Sequence, residues 1–193
     1  MTREFKIDSL RRRLLSKSMV LESEKLGPPV AAVAIIIDPR DRGGSVLLIK
    51  RKERKGDPWS AQIAFPGGHK SPNDRTFLET AVREAREEVS IELREHEMLG
   101  VLPLVQARTR GIVVAPFVFQ LKTTVTAQLN EEIARAFWAP LSELDKIETT
   151  KSDVRVDEGK LTVDSYIYHG HLIWGLTFRI INILLNKTSK SIM

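Results

Sequence analysis

Three glutamates in one short stretch have the spacing that a metal site needs. Glu84, Glu87 and Glu88 stand at positions i, i+3 and i+4, which places their carboxylates on one face of a helix. Like charges that close repel each other by roughly 0.2–0.5 kcal/mol per adjacent pair. A hard cation such as Mg2+, which prefers oxygen ligands, would offset this repulsion. The alternative is a solvated helix face on which Arg83 and Arg86 balance the charge.

A helix must position these carboxylates, and the sequence indicates where it begins. Thr76, followed three residues later by Glu79, fits a capping box. An apolar stripe at helical spacing follows: Leu78, Ala81, Val82, Ala85 and Val89. Before the helix lies Phe-Pro-Gly-Gly, ending in Gly67 and Gly68. We interpret it as a turn whose glycine backbone can approach a metal or a phosphate closely.

This stretch resembles the Nudix box, in which a glycine and an acidic position precede Arg-Glu-x-x-Glu-Glu-x-Gly and an apolar residue. The matching positions are Gly68, Arg83, Glu84, Glu87, Glu88 and Ile91. Ser90 departs from the pattern, since the family has glycine there. The loop between Gly68 and Arg83 is one residue longer than the commonest spacing, and Asp74 is its best acidic position.

The resemblance implies a fold, a cofactor and a reaction. The fold class is α/β, a Nudix-type α/β/α sandwich with a mixed β-sheet. The reaction is metal-dependent pyrophosphate hydrolysis, in which a protein mainly neutralises charge and positions a water molecule. By resemblance, Mg2+ (or Mn2+) is held by Glu84, Glu87, Glu88 and the carbonyl of Gly68. Arg83 would then orient the glutamates.

The general base has more than one candidate. Family members use either a glutamate of the box or a carboxylate on a later loop. Glu132 is our choice for that loop, with its neighbour Glu131 as the alternative, while Glu84 and Glu87 are the candidates within the box. The predicted catalytic residues are therefore Glu132, Glu84 and Arg83.

A charge-rich loop after the second predicted strand is a candidate for binding phosphate. Arg51, Arg54 and Lys55 could line the entry for a polyanion, and arginine can contact a phosphate with two parallel hydrogen bonds. The alternative is a solvated loop. Together with Gly67 and Gly68, these three residues form the predicted substrate-binding set.

The substrate is predicted from three features that resemble the coenzyme A pyrophosphatase branch. They are the Phe-Pro-Gly-Gly sequence at 65–68, the longer loop that follows it, and Ile-Trp-Gly-Leu-Thr at 173–177. Against this stands Ala61, which occupies the position of a glycine in that branch. The alternatives are ADP-ribose, dinucleoside polyphosphates, oxidised nucleoside triphosphates, or a non-catalytic domain that senses nucleotides.

Composition limits the class of protein. The chain has 193 residues, 42% hydrophobic and 28% charged, which is typical of a globular protein. It has no cysteine, which excludes disulfides, thiolate catalysis and cysteine-ligated metals. The net charge of +5 suits an anionic small-molecule substrate such as a nucleotide diphosphate. No RNA-binding signature, secretory signal or membrane span stands out, so we expect a cytoplasmic protein with neither a nucleic-acid nor a membrane partner, and a homodimer by resemblance.

The remaining patterns predict one Nudix hydrolase domain over 1–193. It would comprise an N-terminal helical extension (1–27), a core (28–187) and a tail (188–193). We expect strands at 30–37, 45–50, 61–65, 98–105, 112–121 and 161–168, and a last helix over 171–186 of roughly four turns. Pro116 lies inside one of these strands, which predicts an edge strand or a bulge.

Overall fold

The structure of the chain is a computed structural model. It describes residues 7–14, 30–39, 43–56, 59–94, 97–107, 112–123, 125–156 and 159–187. The predicted tail and most of the predicted N-terminal extension lie outside these ranges. None of the helices in the described ranges combines the length and the hydropathy that a membrane span requires.

The described residues form four helices, with runs of three or four strands between them. The helices are α1 (Ile7–Arg11), α2 (Phe77–Val89), α3 (Leu141–Lys146) and α4 (Gly175–Leu185). The strands are β1 (Ala31–Asp38), β2 (Ser45–Arg51), β3 (Ile63–Ala64), β4 (Gly67–His69), β5 (Met98–Val101), β6 (Val105–Gln106), β7 (Val113–Gln120), β8 (Ile133–Pro140), β9 (Thr150–Val156), β10 (Gly159–Tyr168) and β11 (His171–Trp174).

A mixed sheet forms the middle layer. Its order is β3-β2-β1-β7-β5, with β4 paired to β1, β6 to β7 and β8 to β2. β1 and β7 run parallel, while the other pairs are antiparallel. Ile35 and Ile37 share a core cluster with residues of α1, α3 and α4, whereas Ala34 and Ile36 share a second cluster with α2. Helices therefore cover both faces, and the predicted α/β/α arrangement is confirmed.

A second sheet, of order β11-β10-β9, was predicted only in part. β10 matches the expected strand, but β9 has a polar sequence and an exposed surface, so it shows no buried alternation. The hydroxyl of Thr177 in α4 donates to the carbonyl of Ile63 in β3 at 2.9 Å. This contact joins α4, which follows the second sheet, to strand β3 of the main sheet.

Two predicted elements differ from the structure. The helix expected over 171–186 begins only at Gly175, because Gly175 adopts a left-handed φ of 61° and the four residues before it pair with β10 as β11. Pro116 lies in the interior strand β7 rather than at an edge. The carbonyl of Pro116 accepts a hydrogen bond from the N–H of Leu102, which lies between β5 and β6. The side of Pro116 that lacks an N–H therefore faces the gap between these two strands, where no ladder hydrogen bond is lost.

Candidate active site

Helix α2 carries the acidic face, and its predicted start is confirmed. The Thr76 hydroxyl accepts from the Glu79 N–H at 3.2 Å, and the Glu79 carboxylate accepts from the Arg75 N–H at 2.6 Å. The first contact satisfies an N–H group that α2 leaves free at its start, and the second ties the residue before the N-cap to the first turn. The helix ends at Ser90, which adopts a left-handed conformation with φ 55°. That conformation explains why glycine suits this position in the Nudix pattern.

Gly67 and Gly68 form a strand, so the prediction of a turn was wrong. Both belong to β4, which pairs antiparallel with β1. A Cβ on Gly67 would meet the carbonyl oxygen of Ala32 and lie 2.7 Å from Cα of Val33. A Cβ on Gly68 would lie 2.5 Å from Oε1 of Glu84. The two glycines are therefore needed for close approach, to a neighbouring strand and to a carboxylate.

Glu88 is the buried carboxylate of the acidic face, with 3% of its surface exposed. Its Oε2 accepts a hydrogen bond from the N–H of Gly67 at 3.0 Å, and its Oε1 lies 3.4 Å from Nη1 of Arg51. Burial raises the pKa of Glu88 to about 7, although the Gly67 N–H and the positive charge of Arg51 both favour the ionised form. A further positive charge at this point would stabilise the carboxylate.

Glu84 lies one helical turn before Glu88 and faces Gly68. Its carboxylate forms an ion pair of 2.8 Å with Nη1 of Arg83. Burial raises the pKa of Glu84, and the adjacent Arg83 opposes that rise. Two carboxylates with raised pKa values beside one glycine strand form the chemically unusual feature of the molecule.

Arg83 holds the acidic face together. Its guanidinium contacts Glu84 and Glu87, each at 2.8 Å, and Asp74 at 3.0 Å, and donates to the carbonyl of His69 at 3.1 Å. The hydrogen bonds from Arg83 lower the pKa of Asp74 to about 2. Asp74, taken from the sequence only as the best acidic position of the loop, is thus the buried partner of Arg83. Glu87 is largely exposed and points to the same guanidinium.

Glu132 approaches the acidic face from the loop before β8. Its carboxylate lies 3.1 Å from Arg54 and 3.7 Å from Arg51. Asn130 positions it, since the Asn130 side chain accepts from the Glu132 N–H at 2.9 Å while the Asn130 N–H donates to the carbonyl of Glu88 at 3.2 Å. Sequence reasoning missed Asn130, although an asparagine side chain in a loop commonly accepts a hydrogen bond from the backbone N–H two residues further on.

A cavity of about 1500 Å³ is lined by most of the predicted site residues. Six of them line it: Arg51, Gly67, Gly68, Glu84, Glu88 and Glu132. Arg83 and Glu87 contact the site from outside the lining, and Arg54 reaches it through Glu132. Lys55 is exposed and does not line the cavity, and the same holds for Glu131. The structure therefore favours Glu132 over Glu131 as the residue near the acidic face.

The rest of the cavity wall comes from residues outside the predicted set of site residues. Trp59 and His69 meet edge to face, 6.1 Å apart, close to the glycine strand. Leu161 and Val163 of the second sheet and Leu176 of α4 supply apolar surface. The signal was weak for β9 in particular, because its sequence is polar and mostly exposed.

The chemistry of the donors suits a hard cation, since the acidic face offers only carboxylate and carbonyl oxygens. Across the described residues, however, no group of three or more His, Cys, Asp or Glu side chains is arranged to hold one ion. Glu84 and Glu88 share the cavity, whereas Glu87 is paired with Arg83. The predicted three-glutamate site stays a prediction, and two of its carboxylates line the cavity.

The matching family model is the NUDIX domain, over residues 27–158. The main sheet, the glycine strand and the acidic helix described above lie within that range. The chain therefore belongs to the Nudix hydrolase family, and the prediction of an enzyme of the Nudix pyrophosphohydrolase class is confirmed.

Similar proteins agree with this assignment. A Photorhabdus laumondii protein named "Uncharacterized Nudix hydrolase NudL" is 36% identical over 138 residues, 70% of this chain and 73% of its own length. The protein of the same name from Citrobacter koseri is 33% identical over 178 residues, 90% of both chains. A solved MutT/nudix family protein from Enterococcus faecalis superposes with a TM-score of 0.54 at 15% identity, covering 92% of this chain and 72% of its own.

Proposed function

We propose that the protein cleaves the pyrophosphate bond of a nucleoside diphosphate linked to another group, with the help of a divalent metal ion. The observation that carries this proposal is the pair of buried carboxylates, Glu84 and Glu88, beside Gly67 and Gly68 in a large cavity. Buried carboxylates with raised pKa values at a cavity wall are typical of catalytic or metal-binding groups.

Glu84, Glu88 and the carbonyl of Gly68 would hold Mg2+ (or Mn2+), and Glu87 would join them by exchanging its contact with Arg83. Arg83 keeps a second, buried partner in Asp74, so it stays in place when Glu87 moves. The bound cation would neutralise phosphate charge and activate water. The raised pKa values of Glu84 and Glu88 support this arrangement, because a nearby cation offsets the cost of burying charge.

The other residues have roles that do not depend on the ion. Arg51 lines the cavity between Glu88 and Glu132, where its guanidinium would bind a phosphate of the substrate. Glu132 would accept the proton of the attacking water. Its ion pairs with Arg51 and Arg54 position the carboxylate at the cavity wall. Glu84 remains the alternative base within the box.

Coenzyme A or an acyl derivative is the substrate we favour. Four residues of the run at 173–177 line the cavity: Trp174, Gly175, Leu176 and Thr177. The cavity is large for one nucleotide, and its apolar wall suits the pantetheine arm. Cleavage would give adenosine 3′,5′-bisphosphate and a phosphopantetheine.

The test is a substrate panel with product chromatography in the presence of Mg2+. We expect kcat/KM for coenzyme A to exceed that for dephospho-coenzyme A by at least about tenfold, or about 1.4 kcal/mol. Equal values would reject coenzyme A, and so would a preference for ADP-ribose, a dinucleoside polyphosphate or an oxidised nucleoside triphosphate. Binding of nucleotides without any turnover would instead support a sensing domain.

We also propose a cytoplasmic location and a homodimer. Nucleotide-linked substrates of this kind and the absence of cysteine from the chain support the first. The dimer follows from the family resemblance. Equilibrium sedimentation of the full chain tests the dimer, and fractionation tests the location.

A further inference from the structure

Two basic side chains oppose each other directly on neighbouring strands. Lys50 of β2 and Arg135 of β8 are cross-strand partners in an antiparallel pair. Such pairs bring Cβ atoms within about 4.5–5.5 Å, and like charges placed there destabilise a sheet. Among the residues that the structure describes, neither side chain forms an ion pair with a carboxylate. The repulsion is therefore not offset by the protein itself.

An aromatic side chain and a histidine complete this group. The ring of His171, at the start of β11, stacks on Phe137 of β8 with centroids 5.4 Å apart and an angle of 20°. Burial lowers the pKa of His171, and the positive charges of Lys50 and Arg135 lower it further. His171 is thus close enough to both cations for their charges to act on its imidazole ring. We name Lys50, Arg135 and His171 the basic cluster.

One acidic group contacts the strand residue that pairs with His171, and it is already engaged. Glu143 of α3 accepts from the hydroxyl of Tyr168 at 2.9 Å and lies 3.5 Å from His169. It therefore does not neutralise Lys50 or Arg135. What remains at the basic cluster is a concentration of positive charge and N–H donors next to stacked aromatic rings.

The basic cluster borders the same cavity as the acidic face. Lys50 and His171 both line the cavity, as do Glu84 and Glu88. Lys50 and Arg51 are adjacent in β2, at a shift in the pairing with β8. Successive side chains of a strand point to opposite faces, so a substrate that contacts Arg51 with its pyrophosphate can reach Lys50 only with another group.

We propose that the basic cluster binds a second phosphate of the substrate, a phosphomonoester on the nucleotide that is separate from the pyrophosphate. This proposal rests on the proposed function, because it assigns a further subsite to the same substrate. It replaces Arg54 and Lys55 as the candidates for that phosphate. Lys50 and His171 line the cavity and Arg135 lies opposite Lys50 on the neighbouring strand, whereas Arg54 is paired with Glu132 and Lys55 is exposed outside the lining. The class of ligand is a nucleotide that carries both a 5′-phosphate and a ribose phosphate.

Calorimetric binding without metal tests the subsite directly. The probes are adenosine 3′,5′-bisphosphate and AMP, each with wild type, Lys50→Gln, Arg135→Gln and the double variant. We expect the double variant to lose at least about tenfold in affinity for the bisphosphate, about 1.4 kcal/mol, and to bind AMP as wild type does. Lys122→Gln, an exposed lysine beyond β7, is the matched control and should change neither affinity.

The folding of the variants can be checked at the same time. Since removing one of two opposed charges relieves repulsion, the variants should melt at the wild-type temperature or above it. Arg135→Gln alone, at an exposed position, keeps the test decisive if the substitution of Lys50 disturbs β2. Unchanged bisphosphate affinity in a folded Arg135→Gln and double variant would overturn the proposal, as would an equal loss for AMP.

The subsite and the proposed function can fail separately. If no pyrophosphate is hydrolysed but the affinity for the bisphosphate depends on the basic cluster, the subsite stands and the proposed reaction falls. If coenzyme A is hydrolysed but the double variant shows wild-type KM and wild-type bisphosphate affinity, the reaction stands and the subsite falls.

Discussion

The N–H of Gly67 donates a hydrogen bond of 3.0 Å to the carboxylate of Glu88. This bond joins the short strand β4 to the acidic helix α2 at the point where a side chain on residue 67 would collide with β1. The glycine sequence and the acidic helix, 21 positions apart in the chain, therefore form one structural unit.

Replacing Glu88 by glutamine tests the acidic face. A glutamine oxygen can still accept from Gly67, but it has no charge to offer a cation. We expect activity to fall by about a hundredfold or more, while the free energy of unfolding stays the same or rises, because a buried charge and its repulsion with Glu84 are removed. Glu92→Gln, at an exposed site just beyond α2, is the control. Turnover near the wild-type value at limiting Mg2+ would show that Glu88 is not a metal ligand.

Glu132→Gln tests the general base. We expect kcat to fall by roughly 10²–10⁴ with a smaller change in the Mg2+ concentration that gives half-maximal activity. Glu131→Gln is the matched control, since Glu131 is exposed and lies outside the cavity lining. If the two variants behave in the opposite way, the neighbour is the base. If neither loses activity, the base lies within the box.

The two glycines should respond differently to alanine. At Gly67 the new Cβ meets backbone atoms of β1, which cannot move aside, so we expect a loss of about 1–3 kcal/mol in unfolding free energy. At Gly68 it meets the carboxylate of Glu84, which can rotate away. Gly68→Ala should therefore keep most of the stability and lose activity. Thermal melts and kcat/KM of both variants check this, and a Gly67→Ala protein as stable as wild type would contradict the packing described here.

The ion pair between Asp74 and Arg83 predicts a pH dependence. The pKa of Asp74 falls from 3.8 to about 2 on folding, so the ionised carboxylate stabilises the fold above about pH 4. The stabilisation is lost as pH falls from about 4 to about 2. Asp74→Asn should cost about 2 kcal/mol at pH 7, and the difference from wild type should vanish near pH 2.

Urea unfolding between pH 2 and 7 measures this difference. Asp153→Asn is the control, because Asp153 also pairs with a cation but is exposed, so its removal should change stability little at any pH. A gap between Asp74→Asn and wild type that stays constant down to pH 2 would mean that the ion pair does not carry the effect.

Ser90 offers a test of the departure from the Nudix pattern. Its left-handed conformation is unfavourable for a residue with a Cβ. Ser90→Gly should raise the unfolding free energy by about 0.5–1 kcal/mol, after allowance for the greater freedom of glycine in the unfolded chain. Ser90→Ala keeps the Cβ and should bring no gain. A melt in which alanine and glycine behave alike would contradict the conformational explanation.

The sequence predicted the parts of the molecule that local patterns encode. The capping pair Thr76 and Glu79, the apolar stripe of α2 and the β-branched run of β1 each determine their own element, so these predictions are confirmed. The position of Glu132 near the acidic face also agrees with the structure. Asn130 positions Glu132 by a hydrogen bond to the carbonyl of Glu88 near the end of α2. A contact between residues so far apart in the chain is not encoded in any local sequence pattern.

The errors share a physical cause, which is tertiary pairing. The glycines at 67–68 read as a turn because glycine disfavours strands, yet β1 holds them in one. Residues 171–174 continue the apolar pattern of α4, but pairing with β10 extends them. β9 is polar and was not predicted, although it forms part of the cavity wall.

The side chain of Arg13, just after α1, donates to the last carbonyls of α4, those of Ile183 and Leu184. Ile183 lies 170 positions later in the chain. At a synthesis rate of about 5–20 residues per second, the ribosome needs roughly ten to thirty seconds to make the intervening segment. Throughout that time the segment that carries Arg13 lacks the helix end that it caps, so this contact is among the last to form.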